Sequence, residues 1–314
     1  MRVLFVSSGN NGISPIVTSQ AKSLRKAGLE VSLFGIEGKG IWGYLKNIPI
    51  LVQLIRKSNP SIIHTHYSFC GFLASLSTRK PVVCSLMGSD VKCSGVWRLV
   101  IRFFVKKVWA ATIVKSEDMK HSLGVEPVHV IPNGVDTDVF KPMDKNACRT
   151  KLGWDLSKRV VLFAANPARP EKNFTLAEKS VTALNCTDIE LAVIHGIQHS
   201  DMPVYMNAAD ILLLTSLWEG SPNVVKEAMA CDLPVVSTDV GDVSWLLGDC
   251  NGHFVVSAEV SELSEALTMG LTQEQKPLLR ERLVRLGLDT KSIAERIIAL
   301  YMLLQTGDSG QSCE

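Results

Sequence analysis

Two glutamates, Glu219 and Glu227, flank seven residues in the stretch TSLWEGSPNVVKEAMACDLP, from Thr215 to Pro234. Carboxylates accept hydrogen bonds from hydroxyl groups, so such a pair suits a hydroxyl-rich ligand. The residues between them add the means to hold an anion. Ser221 is expected to cap a helix, Pro222 to take its first position, and Asn223 to Cys231 to continue it. The first N–H groups of a helix have no intrahelical acceptor, and its dipole favours negative charge there. Glu219 falls in the loop before this start. Glu227 lies about a turn and a half inside, on the face of Asn223 four residues earlier. Taken alone, the pair also fits a charged helix start and a solvated helix residue.

Other reactive side chains fall where strands are expected to end. Arg169 and Lys172, in NPARPEKNF (166–174), lie between a strand at 159–164 and a helix from about Thr175. Cations at a strand-to-helix turn suit a diphosphate, and they equally suit a solvated basic turn. His64 and His66 stand at and just beyond the strand Ser61 to His64, at the carboxyl edge where open α/β sheets bind ligands. Each also fits a structural role. Asp90, in MGSDV (87–91), is placed either to orient a hydroxyl or to cap the following helix.

These residues need a scaffold, and the chain alternates apolar runs with helical patterns. Arg2-Val-Leu-Phe-Val-Ser reads as a buried parallel strand, followed by the loop SSGNNGIS and a helix from Ser14-Pro15 to about Ala27, closed by Gly28. Val31 to Gly35 is the next strand, which gives a βαβ opening. Gly9 and Gly12 do not form G-x-G-x-x-G, so the dinucleotide fingerprint is missing. A helix over about 42–57, a strand at 81–86, a strand at 110–114 and a helix at 115–123 follow. Arg159-Val-Val-Leu-Phe echoes Arg2-Val-Leu-Phe half a chain later, which suggests two similar domains. The turn residues Pro132, Asn133 and Gly134 fall between them. A last helix is expected from Thr290 to Leu304, and the tail GDSGQSCE is expected to fray.

Composition narrows the class. The 314 residues are 46% hydrophobic and 20% charged, as in a globular chain of about two domains. A net charge of +2 gives no bulk electrostatic reason to bind nucleic acid. The eight cysteines are scattered without C-x-x-C or zinc spacing, which predicts reduced thiols and a cytoplasmic protein. The apolar part of MRVLFVSSG is too short for a signal peptide, and no run is long enough to span a bilayer. No ligand cluster implies a metal. In WRLVIRFFVKKVW (97–109), Arg98, Arg102, Lys106 and Lys107 recur at about a helical turn. They are expected to form a basic stripe against an apolar face, which fits a domain helix or a helix lying on an anionic membrane.

The segment EGSPNVVKEAMACDLPVV resembles the E-x7-E signature of family 4 glycosyltransferases of the GT-B fold. VIPNGVDTDVFKP (130–142) is similar to that family's interdomain segment, and PEKNF (170–174) to its phosphate-binding turn. The resemblance implies two Rossmann-like domains with parallel sheets facing a cleft: an acceptor domain at 1–140, a donor domain at 141–290, and a final helix at 291–314 crossing back to the first. It implies retaining transfer of a sugar from a nucleotide-diphosphate sugar to a saccharide or lipid-linked acceptor, in surface polysaccharide or cell-envelope biosynthesis. No cofactor or metal is implied. Glu227 would bind the ribose and Glu219 the donor sugar. The backbone from Gly220 through Ser221, Pro222, Asn223 and Val224 would meet sugar and phosphates, with Lys172 and Arg169 on the diphosphate. Asp90 matches a Gly-Ser-Asp motif and would orient the acceptor hydroxyl, while Gly12 and His66 are acceptor-side candidates. Two positions depart from the pattern: Met87 where a histidine is common, and Pro167 where an arginine is usual. They leave open a non-catalytic sugar-nucleotide binder, beside another GT-B enzyme such as a nucleotide-sugar epimerase. Of the two readings of the helix at 97–109, a domain helix is the commoner, and the membrane-lying one would bring the protein to the inner face of the membrane.

Overall fold

The computed structural model describes all residues except 11, 39, 93–94, 249–251, 274–277 and 308–314, so most of the expected frayed tail lies outside the described residues. The chain forms two compact units, Met1–Gly134 together with the segment from Thr290 onward, and Val135–Asp289.

The first unit alternates β1 (Arg2–Ser8), α1 (Pro15–Lys26), β2 (Glu30–Ile36), α2 (Gly40–Leu45), α3 (Ile48–Ser58), β3 (Ile62–His66), α4 (Ser68–Ser77) and β4 (Val82–Ser85). It continues through α5 (Ser89–Lys92), α6 (Val96–Lys107), β5 (Ala111–Val114), α7 (Glu117–Leu123) and β6 (His129–Val130). The second holds α8 (Lys145–Leu152), β7 (Arg159–Phe163), a 3-10 turn (Pro170–Lys172), α9 (Phe174–Thr182), β8 (Ile189–Val193), α10 (Met202–Ala208) and β9 (Ile211–Leu214). It closes with α11 (Asn223–Ala230), β10 (Val235–Thr238), α12 (Val243–Leu247), β11 (His253–Val256), α13 (Val260–Thr272) and α14 (Leu279–Arg285), before α15 (Thr290–Thr306) rejoins the first unit.

Both sheets are parallel, and among the described residues their orders are β2-β1-β3-β4-β5-β6 and β11-β10-β9-β7-β8. Numbered within its own unit, the second sheet repeats the 2-1-3-4-5 sequence of the first. This is the doubly wound order of flavodoxin-like domains, not the 3-2-1-4-5-6 order of dinucleotide-binding domains, which suits the missing G-x-G-x-x-G. The echo between Arg2-Val-Leu-Phe and Arg159-Val-Val-Leu-Phe has a topological meaning: β1 and β7 hold the same place in their sheets. Central strands such as β3 and β9 are buried along their whole length, as continuous apolar runs in a parallel sheet require.

Three local expectations need correction. The helix expected over 42–57 is two, α2 and α3. Pro49 cannot donate to the carbonyl four residues back, and Asn47 turns its side-chain amide onto the Glu37 and Gly43 carbonyls. The helix expected from Lys115 starts at Glu117 after the Ser116 cap, leaving Lys115 buried at the end of β5. The basic stripe on α6 is only half a stripe. Arg98 and Arg102 donate to the Ser122 and Leu123 carbonyls at the end of α7 (2.6 and 2.7 Å), while Val96, Leu99 and Phe103 face outward. The five described cysteines are free, and burial pushes the Cys70 and Cys231 thiols up to about 12, where they are inert.

Candidate functional site

In a doubly wound sheet, ligands bind beyond the carboxyl ends of the strands where the order reverses. In the second unit that point lies between β7 and β9. The loop after β7 carries Arg169 and Lys172, and the loop after β9 carries Glu219. The topology brings together residues that are far apart in sequence.

Specific bonds fix the two loops to each other. The Thr215 hydroxyl lies 3.0 Å from the carbonyls of both Lys172 and Asn173, and the Leu217 N–H donates to the Glu171 carbonyl at 2.8 Å. Asn173 takes the left-handed conformation that ends the 3-10 turn. Across this tie the Lys172 ammonium donates to Glu219 Oε1, which also accepts from the Ser216 hydroxyl at 2.8 Å. The Lys172 and Glu219 side chains are only 16% and 15% exposed, so water screens the pair weakly. Arg169, 56% exposed, forms its ion pair with Glu171.

Behind Glu219 lies the turn after β10. Gly241 has φ of +59°, and a Cβ there would stand 2.8 Å from the Gly220 carbonyl oxygen and 3.1 Å from that of Glu219. Only glycine lets this turn approach so closely while holding a positive φ. The Thr238 hydroxyl reaches the Ser216 carbonyl at 2.9 Å and adds a second tie.

Helix α11 begins one residue later than expected. Pro222 is the N-cap, in extended geometry with ψ of 115°, and Asn223 is the first helical residue. Ser221 is therefore outside the helix, where its hydroxyl accepts from Lys226 Nζ at 3.2 Å. Lys226 is wholly buried, and burial lowers its ammonium to about 8 against the opposing pull of Asp242 and Glu227. Glu227 is 8% exposed. Its Oε1 accepts from His199 Nε2 at 2.7 Å, which makes Nε2 the protonated nitrogen when the ring is neutral. That bond raises the His199 pKa above its ordinary value, against burial. Gly220, Asn223 and Val224 are partly exposed, at the mouth of the helix.

The first unit has the equivalent reversal between β1 and β3, and Gly12 and His66 lie in or beside the loops there. Gly12 adopts φ of +77°, with nothing among the described residues within 4 Å of an added Cβ. His66 is buried and stacked on His64, and its Nε2 is a buried atom with no hydrogen-bond partner among the described residues. Burial and the nearby Lys115 lower His66 to about 3, so it is a neutral ring. His64 joins Ser85 (2.8 Å) to the Tyr301 hydroxyl of α15. Asp90 is buried, and its carboxylate accepts from the Ser68 N–H (3.0 Å), the Ser68 hydroxyl (2.6 Å) and the Met87 N–H (2.7 Å). Desolvation raises its pKa against those three bonds. It clamps the turn after β4 to the start of α4.

His199, Lys226 and Ser216 stand at the candidate site although the sequence reading does not name them. A lysine among Val225, Ala228 and Met229 on a buried helix was the available signal. His199 left no signal at all. Among the described residues, no group of three or more His, Cys, Asp or Glu is placed to hold a metal ion. None of the described helices is long and apolar enough to cross a membrane.

Comparison with known proteins follows the same division of the chain. The family model described as Glycosyltransferase Family 4 matches residues 10–139, and that described as Glycosyl transferases group 1 matches residues 159–273. Over 238 residues the chain is 27% identical to TuaC of Bacillus subtilis (strain 168), named for teichuronic acid biosynthesis; the match takes in 67% of this chain and 61% of TuaC. Over 271 residues it is 24% identical to the Escherichia coli UDP-Gal:alpha-D-GlcNAc-diphosphoundecaprenol alpha-1,3-galactosyltransferase, covering 71% of this chain and 69% of that one. Among solved structures, sucrose-phosphate synthase (tll1590) from Thermosynechococcus elongatus superposes with a TM-score of 0.81 over 98% of this chain and 100% of its own, at 17% identity.

Proposed function

The chain belongs to glycosyltransferase family 4, and from that membership we propose that it moves a sugar from a nucleoside-diphosphate sugar to a saccharide or lipid-linked acceptor. The observation that carries the reading is the Lys172–Glu219–Ser216 cluster at the switch point of the second sheet, beside the mouth of α11. A cation, a carboxylate and a helix start are the three groups needed for a diphosphate joined to a polyhydroxylated ring.

In this reading Glu219 accepts from hydroxyls of the donor sugar, and Glu227 from the ribose. The N–H groups of Gly220, Ser221, Asn223 and Val224 meet sugar and phosphates, and Pro222, which has no N–H, fixes the bend. Lys172 is the first cation we assign to the diphosphate; Arg169, whose exposed ion pair with Glu171 is weak, is the second. As the glycosidic bond breaks, the leaving diphosphate gains negative charge, and preorganised donors aimed at it lower the barrier. Charge stabilisation in the proposed step comes from Lys172, Arg169 and the backbone, without a metal or cofactor. Retention of anomeric configuration is proposed on family membership alone. The first unit takes the acceptor, with Gly12 and His66 beside its switch point and Asp90 as a positioning residue through Ser68 and Met87. TuaC is named for teichuronic acid biosynthesis and the galactosyltransferase for a GlcNAc-diphosphoundecaprenol acceptor, which supports a saccharide or lipid-linked acceptor here.

We also propose that α6 meets an anionic membrane surface. Val96, Leu99 and Phe103 are 73%, 66% and 58% exposed, and Lys106 and Lys107 follow them at the end of the helix. Apolar anchors beside lysines are what an interfacial helix uses. Sedimentation with anionic vesicles, abolished by Leu99→Asp with Phe103→Asp, supports this; equal sedimentation of the variant contradicts it.

The donor assignment is tested by incubating the protein with UDP- and GDP-sugars and following release of the nucleoside diphosphate. Slow hydrolysis, lost in Glu219→Ala with bare-nucleotide binding retained, is the expected result. Binding without turnover against a broad acceptor panel would favour an inert sugar-nucleotide binder instead, a reading motivated by Met87 and Pro167.

A further inference from the structure

The segment VIPNGVDTDVFKP (130–142) stands out in the sequence, yet the donor site described above gives its second half no task. The structure ties that half down twice. Arg280 on α14 donates to the Thr137 carbonyl (2.8 Å), the Phe140 carbonyl (2.7 Å) and the Ala230 carbonyl at the end of α11 (2.7 Å). Asn207 on α10 accepts from the Met143 N–H (2.7 Å) and donates to the Lys141 carbonyl (3.0 Å). Between these staples the Phe140 ring is 2% exposed and packs on the His199 imidazole, with ring centroids 5.3 Å apart.

His199 sits in the loop between β8 and α10, where its carbonyl accepts the Met202 N–H (3.3 Å) at the start of α10. Its backbone is thus anchored from one side and its ring pressed from the other. Nε2 then points at Glu227 Oε1, 2.7 Å away. A carboxylate offers about four acceptor positions on its two oxygens. The imidazole uses one on Oε1 and leaves Oε2, so it orients the carboxylate without filling it.

We infer that Phe140 and His199 form a positioning relay for Glu227, through which the strap over 137–143 presets the carboxylate that receives the nucleotide ribose. The inference rests on the reading of Glu227 given above. The strap keeps the ring from turning, the ring fixes the carboxylate, and the fixed carboxylate meets the diol without losing rotamer freedom on binding. A contact to the ribose is remote from the breaking bond and is made equally in ground and transition states. The relay therefore acts on donor affinity and not on the chemical step.

The test measures Kd for UDP and GDP by calorimetry and KM and kcat in the donor-hydrolysis assay, on variants whose circular dichroism matches the parent. His199→Phe keeps an aromatic ring against Phe140 and removes the donor. It is expected to raise Kd and KM about 10-fold with kcat within about twofold, the scale of one hydrogen bond to a charged group. His199→Gln, whose amide can supply a donor, is expected to recover most of that loss. Phe140→Ala should move Kd in the same direction, and His199→Phe should add nothing in a Glu227→Ala background. If Glu227→Ala weakens nucleotide binding while His199→Phe binds like wild type, the relay is overturned and the ribose assignment survives. If Glu227→Ala has no effect, both are overturned. A fall in kcat at unchanged KM in His199→Phe would also overturn the relay.

Discussion

Substitution of Glu219 by glutamine removes one charge and almost no volume, which makes it an informative perturbation of the donor site. Lys172 loses its carboxylate, while the glutamine oxygen can still accept from Ser216. Exposed ion pairs contribute about 0–1 kcal/mol, and breaking a buried one costs about 3–5 kcal/mol. At 16% and 15% exposure this pair lies between those limits, so a loss of about 2 kcal/mol is expected. In a unit the size of Val135–Asp289, that is a fall of about 4–8 °C in its melting temperature, at about 2–4 °C per kcal/mol. The functional loss is separate. The glutamine oxygen can still accept from a sugar hydroxyl, so the loss is the difference between a charged and a neutral hydrogen bond, about 1–1.5 kcal/mol, which predicts a drop of about 5- to 13-fold in kcat/KM for the intact donor. Bare UDP or GDP, having no sugar, should bind within about twofold of wild type. Differential scanning fluorimetry, donor hydrolysis and calorimetry on one preparation measure all three. A variant that melts with the parent and hydrolyses donor at the parental rate would refute both the coupling of the pair and the role of Glu219.

Gly241→Ala adds a methyl group 2.8 Å from the Gly220 carbonyl at a positive φ, so it should destabilise by about 1–3 kcal/mol and displace the Glu219 loop; a chemical denaturation curve and the hydrolysis rate report the two effects. For His199, the bond to Glu227 raises the folded pKa above 6.5, so its stabilisation is fully present below that value and is lost as pH rises through the raised folded value. The melting difference between wild type and His199→Gln should therefore be largest near pH 6 and shrink toward pH 9. Because charge stabilisation is assigned to Lys172, Arg169 and the backbone, donor hydrolysis should be unchanged by EDTA, and a rate restored only by added divalent cation would contradict that assignment.

What could be read from the sequence was what local chemistry encodes. Apolar runs such as Ile211–Leu214 become buried strands, and the echo of Arg2-Val-Leu-Phe in Arg159-Val-Val-Leu-Phe marks the same strand position in two sheets. Asp232, one residue past the Cys231 cap of α11, takes the left-handed conformation that Asp tolerates better than most residues, and its carboxylate accepts the Arg280 backbone N–H at 2.8 Å. The Glu219–Lys172 pairing was not legible, because 46 residues separate the two and only the reversal of strand order joins their loops. His199 was hidden for the same reason: a histidine in a polar loop has no pattern until α11 is packed beside it. The break at Pro49 was available and overlooked, since a proline two residues into a helix starts one as readily as it ends the one before. The one-residue shift at Ser221 and Pro222 lies below what sequence periodicity resolves.

In the proposed donor site the mouth of α11 grips a nucleotide through Glu227. Titration of UDP and GDP into wild type and Glu227→Ala by calorimetry tests that directly. The prediction is saturable binding of at least one nucleotide by wild type and a loss of about 10-fold or more in the variant, at unchanged fold. Equal affinity in the two proteins would contradict it.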